Sequence, residues 1–130
     1  MSHFTQVKTL LRNKDTLIKA LKAMGHTVVE EADSVKVRGF MGDTETADFK
    51  ILTDTHYDIG FRRLSDGTYE LVGDWDVLPK ASGIERETFA RTLKKQYAQV
   101  AISEIAKQQG YEVESHEQQD GSIEMVVTQW

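Results

Sequence analysis

The stretch YDIGFRRLSDGTYELVGDW, Tyr57–Trp75, holds two alternating apolar segments around a Ser-Asp-Gly turn, and its register decides how the chain is assembled. A two-residue Asp66-Gly67 turn would set Phe61 opposite Val72 and Ile59 opposite Asp74. That places a carboxylate against an isoleucine on the buried face. A three-residue loop, Ser65-Asp66-Gly67, removes the conflict and gives Gly67 the left-handed conformation such loops require. Phe61 then opposes Leu71, Arg63 opposes Tyr69 and Tyr57 opposes Trp75, while Arg62 meets Glu70 on the other face. A slip of one residue would turn the whole apolar set to water, so the three-residue loop is the expected one.

The closing segment YEVESHEQQDGSIEMVVTQW, residues 111–130, follows the same plan. A shift of 54 positions lays Tyr57 on Tyr111, Asp66-Gly67 on Asp120-Gly121, Glu70 on Glu124, Leu71 on Met125 and Val72 on Val126 without a gap. The segments leading in match as well, Gly25-His26-Thr27-Val28 resembling Gly110-Tyr111-Glu112-Val113.

Working outward, Phe4 to Leu11 reads as an opening strand. Asn13-Lys14-Asp15 starts a helix, with Asn13 as cap and Asp15 favourably placed at the positive end of the helix dipole. Leu17, Ile18, Leu21 and Met24 share one helical face, and Gly25 ends it. Strands over 27–30 and 34–38 flank a turn at Glu31-Ala32-Asp33, and a polar loop at Gly42–Glu45 precedes a strand bearing Phe49 and Ile51. Ser82-Gly83-Ile84-Glu85 has capping-box spacing, which predicts a long helix from there to about Gln109 with Phe89, Leu93, Tyr97 and Val100 as its stripe. Ile102 and Ile105 lie well round the cylinder from that stripe. The predicted order is β-α-β-β-β-β-β-α-β-β. It implies an α+β two-layer sandwich, a mostly antiparallel sheet with two helices on one face, in a single domain over residues 1–130.

Composition narrows the function. The chain has 130 residues, 39% hydrophobic and 28% charged, an ordinary balance for a globular domain. No apolar run approaches a membrane span, and no secretory or transit pattern is read at the N-terminus. Cysteine is absent, which excludes disulfides, thiolate nucleophiles and cysteine-held clusters within this chain. The net charge of −5 argues against binding a phosphate backbone. No phosphate loop, dinucleotide fingerprint or nucleophile elbow occurs.

Several residues remain as site candidates. Asp58 and Asp74 are expected close together on the outer face of the Tyr57–Trp75 hairpin, with Asp76 nearby, as a weak metal site or the carboxylates of a small enzyme. Lys36, Arg38, Lys50 and Arg62 are expected on the same outer sheet face, where they relieve the acids or, with Trp75 and Trp130, form a partner-docking patch. The same four cations could contact nucleic acid, a reading that predicts steep salt dependence. Asp54 and His56 at i, i+2 would share one side of a strand as a metal half-site, too few ligands for tight zinc. His116 is expected across from Glu124 as a surface ion pair. Trp130 is expected to pack on its own domain or on a partner. No catalytic residue and no cofactor is assigned.

Taken together, MSHFTQVKT, the helix leading to Gly25, VRGF…TETAD, YDIGFRR…DGTYELVGDW, QYA and DGSIEMVVTQW resemble one family. It is the cyanobacterial and plastid-encoded "hypothetical chloroplast open reading frame thirty-five" family, a domain of unknown function. The likeness spans nearly the whole chain. It implies a cytoplasmic or stromal setting and supplies no activity or catalytic residue. The expected function is a non-enzymatic protein-binding or assembly module serving a photosynthetic or redox complex. It would have an unidentified protein partner and no membrane insertion, and a homo-oligomer is possible.

Overall fold

A computed structural model describes residues 3–129. Strand β1 (Phe4–Lys8) leads to helix α1 (Lys14–Ala23), then strands β2 (Val28–Arg38), β3 (Thr44–Leu52), β4 (Asp58–Arg63) and β5 (Tyr69–Asp74). A short helix α2 (Leu78–Ser82) and a long one, α3 (Arg86–Gln108), precede β6 (Tyr111–Glu117) and β7 (Ile123–Gln129). The fold is α+β. Five strands form one antiparallel sheet in the order β1-β5-β4-β3-β2, and β6-β7 form a second.

The β4–β5 register is the expected one, with Phe61 opposite Leu71, Arg62 opposite Glu70 and Arg63 opposite Tyr69. The turn closes through Leu64 N–H to Thr68 O at 2.7 Å and Gly67 N–H to Leu64 O at 2.9 Å, with Gly67 at φ 87°. Fifty-four residues later the same turn recurs. Gln118 N–H bonds Ser122 O at 2.7 Å, Gly121 N–H bonds Gln118 O at 3.0 Å, and Gly121 also has φ 87°. Asp66 accepts from the Thr68 amide and hydroxyl as Asp120 does from those of Ser122. Tyr57 and Trp75 lie outside the paired ladder, which ends at Gly60 and Val72.

Helix α1 starts as its sequence dictates, the Asn13 side chain accepting from the Thr16 N–H at 3.0 Å. It ends in a Schellman arrangement, with His26 N–H to Leu21 O, Gly25 N–H to Lys22 O and Gly25 at φ 90°. Leu17, Ala20 and Leu21 of α1 meet Phe49, Ile51, Ile59, Phe61 and Leu71 of the sheet and Phe89 and Leu93 of α3 in the main core. Phe49 and Phe61, paired across β3 and β4, stack with centroids 5.0 Å apart.

Three boundaries differ from expectation. Residues 31–33 do not separate two strands: β2 runs through them, and its pairing with β3 shifts register between Glu30 and Val35. That is one strand fewer than the sequence suggests, because an irregularity in a ladder and a turn share the same polar composition. Ser82 does not cap the long helix. Its hydroxyl donates to Leu78 O at 2.6 Å and accepts from Ile84 N–H, closing α2, which stops at left-handed Gly83. Helix α3 starts afresh at Arg86, after Glu85 in an extended conformation. Strand β3 begins at Thr44, inside the expected polar loop.

The largest difference concerns the sheet face away from the helices. The β2–β3 hairpin curls back over it. Gly60 of β4 has no side chain there, and a Cβ added to it would overlap Val37 Cγ2 and stand 2.9 Å from Ala47 Cβ. Val35, Val37 and Ala47, with Phe4 and Val29, form a second small core under the curl. The sheet is thus covered on both faces along β4 and β5, all of whose residues from Asp58 to Phe61 and from Tyr69 to Asp74 are buried.

Candidate functional site

Asp58 opens β4 beneath the curled hairpin, and its side chain is fully enclosed. Its Oδ2 accepts from the Arg38 backbone N–H at 2.9 Å, from Arg38 Nε at 2.9 Å and from Lys50 Nζ at 3.0 Å. Oδ1 accepts from Arg38 Nη2 at 2.8 Å. Arg38 Nη2 also donates to Thr55 O, and Lys50 Nζ donates to Lys36 O at 2.8 Å. Burial pushes the Asp58 carboxyl up, but the Arg38 guanidinium and amide and the Lys50 ammonium outweigh it and hold it below the usual carboxylate range. The same ion pair raises Arg38 against the opposing effect of burial. This is a satisfied charge cluster that fastens the end of β2 to β4, with both carboxylate oxygens already engaged.

Asp74, at the end of β5, is 1% exposed. Its Oδ2 accepts from the Phe40 backbone N–H at 3.0 Å, tying down the 3-10 turn Phe40–Gly42 that connects β2 to β3. Its Oδ1 has no protein partner among the described residues. The expectation of two carboxylates facing solvent is therefore corrected: the hairpin covers both, and each binds a backbone amide of that hairpin. Among the described residues no three His, Cys, Asp or Glu side chains are grouped to hold a metal ion.

The other candidates are dispersed. Arg62 makes the expected cross-strand pair, Nε to Glu70 Oε1 at 2.9 Å, and also reaches Glu45 and Thr46 O. Lys50 is mostly buried and Lys36 is exposed. Trp75 is 8% exposed and belongs to the main core, its indole lying against Gly73, and its remaining surface lines a pocket with Thr5, Asp76, Pro79 and Arg86. Trp130 lies outside the described residues. Asp54 and His56 sit in the β3–β4 connection, with Asp54 at φ 60°, not side by side on a strand. His116 does oppose Glu124, but its Nε2 approaches Glu114, 3.4 Å away.

The sequence reading missed two surfaces. The β6–β7 hairpin shares no strand with the main sheet and packs on α3, with Lys95 donating to Glu117 at 3.1 Å and to Gly121 O at 2.8 Å. No residue of β6 or β7 is buried, whereas every residue of its counterpart β5 is. Val126 is 40% and Val127 48% exposed, and on α3 Ile102 and Ile105 are 43% and 56% exposed. A second feature is a groove of about 610 Å³ along the open edge of β1, between Gln6, Val7 and Lys8 and the α3 residues Arg86, Ala90, Arg91 and Lys94. The signal for the first was present in the α3 stripe, which loses its apolar register after Val100.

A small α+β unit with a covered sheet, a satisfied internal charge cluster and an outlying ribbon defines the class. The chain belongs to the family described as "Protein of unknown function (DUF1257)", whose model matches residues 20–126. It is 34% identical to the uncharacterized protein ycf35 of Cyanophora paradoxa and 30% identical to that of Pyropia yezoensis. It is 28% identical to the ycf35 protein of Guillardia theta. Each alignment covers the whole of this chain and 98% of the relative. These relatives are hypothetical chloroplast reading frames, which gives the chain a plastid or cyanobacterial type of origin. No solved structure matches it significantly. No helix among the described residues is long and apolar enough to cross a membrane.

Proposed function

We propose that this protein is a non-enzymatic protein-binding or assembly module, and that it docks through the β6–β7 hairpin and the adjoining end of α3. The observation that carries this reading is the unequal treatment of two ribbons that share one register and one turn. The first is enclosed by β1, β3, α1 and α3. The second keeps Val126 and Val127 half exposed, Ile102 and Ile105 of α3 are exposed as well, and both edges of the ribbon are unpaired among the described residues. Unpaired strand edges beside exposed apolar side chains are a surface that another protein can complete. The chloroplast reading-frame character of the relatives supports a photosynthetic or redox complex as the setting, in the aqueous space of a plastid or cyanobacterial cell.

The test is affinity recovery from the native organism with the wild type and with Val126→Glu, Val127→Glu and Ile105→Glu. Loss of a reproducible partner in these variants is the expected result. Recovery unchanged in all three overturns the reading.

A further inference from the structure

The β1 groove and the β6–β7 hairpin carry opposite charge. Lys8, Arg86, Arg91 and Lys94 line the groove with Glu87 as its single acid, and none of the four cations takes part in an ion pair among the described residues. The hairpin segment 111–129 holds Glu112, Glu114, Glu117, Asp120 and Glu124 and contains no Lys or Arg. Of these, Glu112, Glu114 and Glu124 project from the face away from α3, since Val113, Ile123 and Met125 alternate with them and are half buried. Strand β1 pairs only with β5, so its second edge is open among the described residues. Val7 and Ala90 give the groove an apolar floor.

Lys8 on an open edge discourages pairing with most strands. An acidic ribbon is the kind of strand that such an edge admits, because charge matching offsets the desolvation of the lysine and arginine heads. The seven-residue strands of the hairpin are long enough to cover the five of β1. A chain's own hairpin is held away from its groove, pinned to α3 through Lys95 and absent from the groove's lining.

We infer that the acidic β6–β7 hairpin of one copy of this chain seats in the basic β1–α3 groove of a second copy, adding its strands to the open edge of β1. This deepens the docking reading above and rests on it. The contact is head to tail, so each copy both gives a hairpin and receives one, and the assembly closes into a ring or continues as a chain of copies.

The experiment is a charge exchange on the purified full chain, followed by sedimentation velocity and light scattering over a range of concentrations. The four side chains Arg91, Lys94, Glu112 and Glu114 are exposed, and circular dichroism checks that each variant is folded. The wild type is expected to gain mass with concentration. Arg91→Glu/Lys94→Glu and Glu112→Lys/Glu114→Lys are each expected to weaken association about tenfold or more. An equimolar mixture of the two is expected to regain it, since each hairpin then meets a groove of opposite charge. A wild type that stays monomeric throughout overturns the inference, as does a mixture that fails to recover. If the monomeric chain still loses a cellular partner on Val126→Glu, self-assembly falls and the wider docking reading stands.

Discussion

The carboxylate of Asp58 and the backbone N–H of Arg38, 2.9 Å apart, join β4 to the far end of a strand with which it does not pair. Twenty residues separate them in sequence, and the curl of the β2–β3 hairpin brings them together. The contact fixes where that hairpin lands, and so which sheet face is closed to solvent.

Replacing Asp58 by Asn retains the shape and removes the charge that Arg38 and Lys50 neutralise. The expected loss is about 2–4 kcal/mol, below the extreme for a buried pair because Arg38 is 43% exposed on its side chain. The pH dependence has a definite sign. The folded Asp58 is held below its unfolded value, so its contribution is present above about pH 4 and is lost as pH falls through the lower, folded value. Urea midpoints between about pH 2 and 7 should show the difference between the wild type and the Asn variant shrinking as pH falls, since only the wild type loses this increment on top of what the other carboxylates contribute.

Asp74→Asn should behave differently. The amide oxygen can still accept from Phe40 N–H, and the unpartnered Oδ1 is replaced by an uncharged group. A change within about 1 kcal/mol is expected, of either sign, by the same urea titration. A loss as large as that of Asp58→Asn would mean that Asp74 has a cationic partner.

Gly60→Ala places a methyl group into Val37 and Ala47. Backbone and neighbours must give, at a cost of about 1–3 kcal/mol. Adding Val37→Ala should recover part of the loss, and a double-mutant cycle by thermal melting measures that coupling. Strict additivity would place the hairpin elsewhere than over β4.

The two matching turns offer an internal comparison. Gly67 and Gly121 both adopt φ 87°, so alanine strains each turn by a similar amount, about 1 kcal/mol or more. Hydrogen exchange should separate their consequences. Gly67→Ala lowers protection across β4, β5 and α1 together, whereas Gly121→Ala speeds exchange only in β6 and β7, which open locally. Equal, global effects at both sites would mean that the outlying ribbon is cooperative with the main sheet.

The sequence alone determined the hairpin register, the 54-residue repeat, the capping of α1 and the α+β class. Each follows from short-range rules: a turn glycine with positive φ, side-chain alternation that forbids a one-residue slip, and an Asn within reach of the first-turn amides. Tertiary structure alone decided which surfaces exist. Asp58 and Asp74 read as exposed because nothing local marks the curl that covers them, for which the missing side chain at Gly60 leaves room beside Val37 and Ala47. Trp75 reads as exposed because the main core that buries it is assembled from distant segments. The second ribbon repeats the first in register and turn, yet it stays outside: it packs on α3, and neither of its strands joins the sheet edges at β1 or β2. Burial depends on which neighbours arrive, and a strand's own residues do not specify that.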